Sequence, residues 1–232
     1  MSLYLSRLSI SRDPAVSTLD ALLEPRERGR RSDAHHRLLW TAFAGDPEAK
    51  RDFLWRGEGK GRFLTLSARH PGDSPFFDPP EVKAFAPDLA RGDQLFFTLR
   101  ANATRTERTG EMSGGGKERK RHIDLVMDAL YPLKEGRAEA RMQAAQSAGQ
   151  GWLAGQGARN GFVLDEVTVG DYSVHALPAH SGRRKGQPQF GILDLTGKLT
   201  VTDPAAFLAR LAAGFGRAKA FGCGLMLIRR AR

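Results

Sequence analysis

Two stretches of this 232-residue sequence hold side chains able to do chemistry at neutral pH. The first is the pair His35-His36, which follows the basic run Glu24 to Arg31 (EPRERGRR). An imidazole has an unperturbed pKa of about 6.5, so modest electrostatic surroundings make it a proton donor or acceptor under physiological conditions. The second is the closing stretch GFGRAKAFGCG, where Gly214, Gly216, Gly222 and Gly224 bracket Arg217 and Lys219 in a G-x-G-x5-G-x-G spacing. Glycines so spaced supply positive φ and close backbone approach. Their N–H groups, with Arg217 and Lys219, form a candidate phosphate seat; the alternative is a tight connection whose glycines serve only geometry.

Familiar glycine motifs do not fit. A dinucleotide fingerprint opens a helix after a strand, whereas this loop follows a helix and precedes a strand. A P-loop needs Ser or Thr after its lysine, and Lys219 is followed by Ala220. Gly214-Phe215-Gly216 lacks the flanking aromatics of the RNP1 element. No cofactor is expected. No metal site is expected either: the histidines show no H-E-x-x-H pattern, the acids form no D-x-D cluster, and Cys223 is the single cysteine. Phosphodiester cleavage without a metal requires an internal nucleophile, which RNA has in its 2′-hydroxyl.

The charge balance agrees with an anionic partner. Lys and Arg number 36 against 26 Asp and Glu, a formal charge of +10 with pI near 10.2, which points to nucleic acid before a membrane surface. Arg183-Arg184-Lys185 falls where a hairpin tip is expected, and Arg100, Arg105, Arg108 and Lys117 to Arg121 add positive charge near mid-chain. Each cluster alone also fits a solvated loop. Trp40, Trp55 and Trp152 fall on apolar faces and are expected in the core. Residues 1–6 lack a charged leader region, and no apolar run approaches the roughly 18 residues of a membrane span, so the expected compartment is the cytoplasm.

These groups need elements to hold them. Strands are expected at Leu3 to Ile10, Phe53 to Arg56, Arg62 to Ala68 and Gln94 to Asn102. Ser32 or Asp33 is placed to cap a helix with His36, Leu39, Trp40 and Phe43 on one face, which would put His36 in the anion-attracting first turn. Val82 to Leu89 is expected as weak helix or loop. The order is β-α-β-β-α-β over residues 1–102. Residues 103–120, Gly-rich and polar, are expected as a linker or mobile loop. From 121 to 232 the order restarts: a strand at His122 to Leu130, an Ala-rich helix at Glu135 to Ala158, strands at Gly161 to Leu177 and Pro188 to Val201, a helix capped by Asp203, and a last strand at Gly224 to Ile228. The expected fold class is α+β, two tandem ferredoxin-like (RRM-like) βαββαβ domains.

Several pieces taken together resemble CasE, the family of CRISPR RNA-processing endoribonucleases that are subunits of type I-E Cascade. They are Tyr4-Leu5-Ser6-Arg7-Leu8, His36-Arg37-Leu38-Leu39-Trp40, Arg51-Asp52-Phe53-Leu54, Leu95 to Asn102, Gly197 to Asp203 and, most specifically, Gly214 to Leu225. The resemblance implies the same tandem fold, metal-independent cutting of the CRISPR repeat RNA hairpin, other Cascade subunits as partners and no membrane. It also implies a glycine-rich loop near the RNA and a helix-borne catalytic histidine. By position that histidine is His36, because it directly precedes Arg37-Leu38-Leu39-Trp40. Family members often carry a tyrosine three residues earlier, where this chain has Asp33, so no tyrosine role transfers. Asp33 is then a helix cap, and Lys219 or Arg217 a stabiliser of phosphate charge. The alternative function is a non-catalytic tandem ferredoxin-like module that only holds an RNA hairpin.

Overall fold

The computed structural model describes residues 2–44, 51–112, 114–116, 118–176 and 188–231. The first sheet holds β1 (Tyr4–Ser9), β2 (Phe53–Gly59), β3 (Arg62–Ser67) and β4 (Glu81–Ala84) in the order β2-β3-β1-β4, all pairs antiparallel. Two short helices, α1 (Pro14–Ser17) and α2 (Asp20–Leu23), precede α3 (Arg28–Ala42). α3 lays Leu38, Leu39 and Ala42 on a core of Leu8, Phe53, Trp55 and Phe63. The Phe43 and Phe53 rings stack at 4.4 Å where the helix ends. No helix lies in residues 68–80, between β3 and β4, so this unit has one covering helix layer on its sheet.

The second sheet contains β5 (Gln94–Ala101), β8 (Phe162–Ala176), β9 (Gln189–Val201) and β10 (Met226–Arg230) in the order β10-β5-β9-β8. In both sheets the first strand lies centrally between the third and fourth, the ferredoxin-like arrangement expected. α5 (Arg137–Arg159) and α6 (Pro204–Ala213) cover it, burying Ala145, Leu153, Phe207 and Leu211 against Leu95, Phe97, Leu99 and Phe162. Asp203 caps α6 by accepting from Ala206 N at 3.1 Å, as expected. Trp55 and Trp152 are buried in the two cores.

Four expectations about the elements are corrected. Gln94–Ala101 opens the second sheet instead of closing the first: its inward residues Leu95, Phe97, Leu99 and Ala101 belong to the second core, and it is hydrogen-bonded to β9 and β10. Residues 103–120 are mostly strand. β6 (Thr104–Met112) pairs with β7 (Glu118–Asp124) in a hairpin inserted after β5, and it is polar on both faces because both are largely exposed. Leu125–Leu130 is then a short helix, α4, whose first N–H groups at Val126 and Met127 donate to Asp124, not the tail of a strand. Glu81–Ala84 is a strand because β1 offers it a free edge. Among the described residues no helix is long and apolar enough to cross a membrane.

Candidate active site

α3 begins at Arg28, with Glu27 as its extended N-cap residue, so the basic run Glu24 to Arg31 is partly helix. Arginine favours helix, and Arg28 and Arg30 keep their charge in solvent on its outer face. His36 is therefore in mid-helix, and the first-turn dipole argument does not apply to it. Asp33 does not cap; it pairs with Arg37 one turn on, at 3.0 Å.

The two histidines point to different surroundings. His35 Nε2 lies 3.0 Å from Glu24 Oε1, and its ring meets Phe63 edge-on at 4.8 Å. It lines a cleft of about 480 Å³ together with Arg28, Arg31, Arg100 and His175. His36 is half-buried, its ring 6.2 Å from Phe53 and 6.3 Å from Trp40. Its Nε2 is buried with no hydrogen-bond partner among the described residues. Burial first, then the positive charge of Arg51, pushes the His36 pKa below its ordinary value; Asp33 pulls the other way, and Arg37 adds the smallest push downward. That direction favours the neutral imidazole at physiological pH, with Nε2 enclosed by the protein.

The glycine-rich loop comes to this helix. Its centre, a 3-10 turn at Lys219–Phe221, packs on α3 and β2. All four glycines take positive φ. The backbone they bring close is approached by the protein itself: a Cβ at Gly214 would stand 2.7 Å from Leu54, and one at Gly224 2.8 Å from Phe215 O. Gly214, Gly222 and Gly224 are buried, and the N–H groups of Gly214, Phe215, Arg217 and Gly224 already donate within the chain. The expected cradle of free N–H groups is corrected at Gly214 and Gly224, where the geometric alternative accounts for the glycine. Gly216 is half-buried, packed near Asn102 and Trp152.

The loop's cations remain available. Arg217 is exposed. Lys219 donates to Ala213 O at 2.6 Å, and its pKa is lowered by burial and then by the charges of Arg210 and Arg51. Arg51, just before β2, thus acts electrostatically on His36 and Lys219 together. Arg100 is corrected from a free RNA contact to a paired one: it clasps Asp194 through two bonds of 2.9 Å. On the β6–β7 hairpin, Arg105 is shared between Glu107 and Asp128, and Arg108 pairs with Glu118 at 3.6 Å. Arg183, Arg184 and Lys185 lie outside the described residues; the strand leading to them passes Gly29, whose Cβ would meet Ala176 O. Among the described residues no cluster of three or more His, Cys, Asp and Glu is placed to hold a metal ion.

Sequence reasoning overlooked Arg51 and Arg210. The first was visible only as part of Arg51-Asp52-Phe53-Leu54, and nothing in sequence spacing tells Arg210 from any other helix arginine.

The profile of a family described as CRISPR associated protein matches residues 3–230. The chain belongs to this CRISPR-associated family. Its relative CasE, a Cascade subunit of Escherichia coli strain K12, is 28% identical over 199 residues, which is 82% of this chain and 88% of the relative. The fold resembles Thermus thermophilus Cse3 bound to an RNA representing a pre-cleavage complex, with a TM-score of 0.63 and 23% identity over 99% of this chain and 100% of that one. It also resembles Cas6e of E. coli K-12, with a TM-score of 0.59 and 22% identity over 97% and 98%. In this CRISPR-associated chain the turn of the glycine-rich loop packs on the helix that carries His36.

Proposed function

We propose that this protein is a metal-independent endoribonuclease that cuts the repeat hairpin of precursor CRISPR RNA and stays on its product as a subunit of Cascade. The observation that carries the reading is His36: a neutral imidazole whose Nε2 has no partner among the described residues, held in the field of Arg51 and close to the loop that bears Lys219. The names of the relatives support it, since they include a Cascade subunit and RNA-bound Cse3. The Cascade subunit among its relatives supports a cytoplasmic role.

In the reaction, the His36 imidazole takes the proton of the 2′-hydroxyl upstream of the scissile phosphate. The 2′-oxygen bonds to phosphorus in line, the bond from phosphorus to O5′ breaks, and O5′ takes up a proton from the imidazolium just formed or from water. The products are a 2′,3′-cyclic phosphate and a 5′-hydroxyl. Nearby cations stabilise the extra negative charge on the phosphorane-like transition state. Arg217, Arg183, Arg184 and Lys185 supply contacts to the hairpin backbone, and residues 85–93 join the two ferredoxin-like units.

Incubation of the purified protein with the host repeat RNA tests this. Wild type and His35→Ala cut with and without EDTA, while His36→Ala binds the hairpin but cuts about 10² to 10⁴-fold more slowly. A 2′-deoxy nucleotide upstream of the cut stops the reaction. Tight binding without cutting by wild type means a hairpin-holding module instead, and loss of cutting in EDTA means a metal-dependent enzyme.

A further inference from the structure

Arg51, Lys219 and Arg210 gather where the loop turn packs on α3 and β2, and the groups that Lys219 and Arg210 touch among the described residues are neutral. Arg210 donates to Asn160 Oδ1 at 3.1 Å, Gln156 Oε1 at 3.2 Å and Gly214 O at 3.3 Å. Lys219 donates to Ala213 O at 2.6 Å, which leaves two of the three ammonium N–H groups without a partner among the described residues. Arg51 Nε is buried with no acceptor among those residues, and none of their carboxylates forms an ion pair with Arg51, Lys219 or Arg210. The carbonyls at the end of α6 contribute only the partial charge of a helix C-terminus, about half an elementary charge. Burial and mutual repulsion weaken the hold on the proton at Lys219, and burial does so at Arg51.

Half-buried like charges with no counter-ion are costly, and proteins tolerate them where an anion completes the site. Several other arginines of this chain are held by acids. Arg69 is held by Asp52, Arg100 by Asp194 and Arg230 by Asp93. Beside the imidazole, no acid among the described residues does the same for Arg51, Lys219 or Arg210.

We propose that Arg51 and Lys219, braced by Arg210, form an anion seat that receives the non-bridging oxygens of the scissile phosphate, with Arg51 as the catalytic clamp. This rests on the endoribonuclease reading and names the groups that stabilise its transition state. Arg51 lies one residue ahead of Asp52 and two ahead of β2, so the rigid sheet fixes its backbone, while Lys219 comes from the second unit on the loop. The phosphate is then gripped by both units of the fold. Arg210 is a positioning residue: it holds Gly214 O, the base of the loop, and its charge adds to the attraction.

Two measurements on the full chain test the seat. In single-turnover cleavage of the repeat hairpin, Arg51→Gln cuts about 10² to 10³-fold more slowly than wild type while hairpin affinity stays within about tenfold, and Arg51→Lys recovers part of the rate. A phosphorothioate at the scissile position slows wild type for one diastereomer, and that selectivity is lost in Arg51→Gln. The second measurement needs no cleavage: inorganic phosphate, titrated against the protein by NMR, raises the His36 pKa in wild type and fails to do so in Arg51→Gln. Cutting by Arg51→Gln at the wild-type rate overturns the proposal. So does a rate loss matched by equal loss of affinity and a lower melting temperature, which would make Arg51 structural. If wild type does not cut but phosphate still moves the His36 pKa through Arg51, the seat stands and the endoribonuclease reading falls.

Discussion

Arg100 on β5 and Asp194 on β9 face each other across the second sheet and are joined by two parallel hydrogen bonds of 2.9 Å. The bond to Asp194 raises the Arg100 pKa even though burial opposes it. An arginine so engaged joins two strands of the sheet, and RNA binding is expected not to depend on it. Arg100→Met is expected to lower folding stability by about 1 to 3 kcal/mol, the range for charge-assisted bonds. It should leave hairpin affinity within a few-fold of wild type once measured below the melting temperature. A large affinity loss in a fully folded Arg100→Met would return this residue to the RNA interface.

The pH dependence of cleavage follows from the direction of the His36 shift. Because burial and Arg51 lower its pKa in the free protein, the imidazole is already neutral at pH 7 and acts as a base. The second-order rate for free protein and RNA should rise with pH, with an inflection below about 6.5, and then level off. Bound phosphate favours the imidazolium, so at saturating RNA the inflection moves upward. A second-order rate that falls between pH 6 and 8 would make His36 a general acid from the start and reverse this assignment.

Gly214→Ala places a methyl group 2.7 Å from Leu54 at a backbone φ of +76°. Both effects oppose the loop geometry, and about 1 to 3 kcal/mol of stability should be lost. Because Gly214 O also holds Arg210, the loop end shifts and cleavage falls with it. Differential scanning calorimetry and single-turnover rates on the same preparation check the pair of effects; an unchanged melting temperature would show that the loop relaxes freely.

Neutralising Arg183, Arg184 and Lys185 together should flatten the salt dependence of hairpin binding. For every duplex phosphate that these cations no longer neutralise, the slope of log K against log salt becomes shallower by about 0.9. Affinity titrations at several salt concentrations measure this, and an unchanged slope removes the segment from the interface.

Much of the architecture is legible in the sequence because strand and helix periodicities are local. Phe53 to Arg56, Arg62 to Ala68 and the Asp203-capped helix stand where side-chain spacing puts them, and the tandem fold follows from their order. The sheet that β5 joins is not legible in the same way. Its residues read as a half-buried strand wherever they are placed, because alternation tells which face is buried and not which sheet buries it. The hairpin of β6 and β7 reads as a linker because a strand pair packed on nothing has the composition of a loop.

The sequence by itself determined the charge, the α+β class and His36 as the histidine that precedes Arg37-Leu38-Leu39-Trp40. The tertiary structure alone decided that Arg100 is neutralised by Asp194, that the loop glycines approach their own chain, and that the charge of Arg51 acts on both His36 and Lys219. The reason is the range of the forces involved. Helix and strand patterns depend on neighbours a few residues away, whereas the electrostatics of a side chain depend on charges brought near it by folding, here across about 170 residues of sequence.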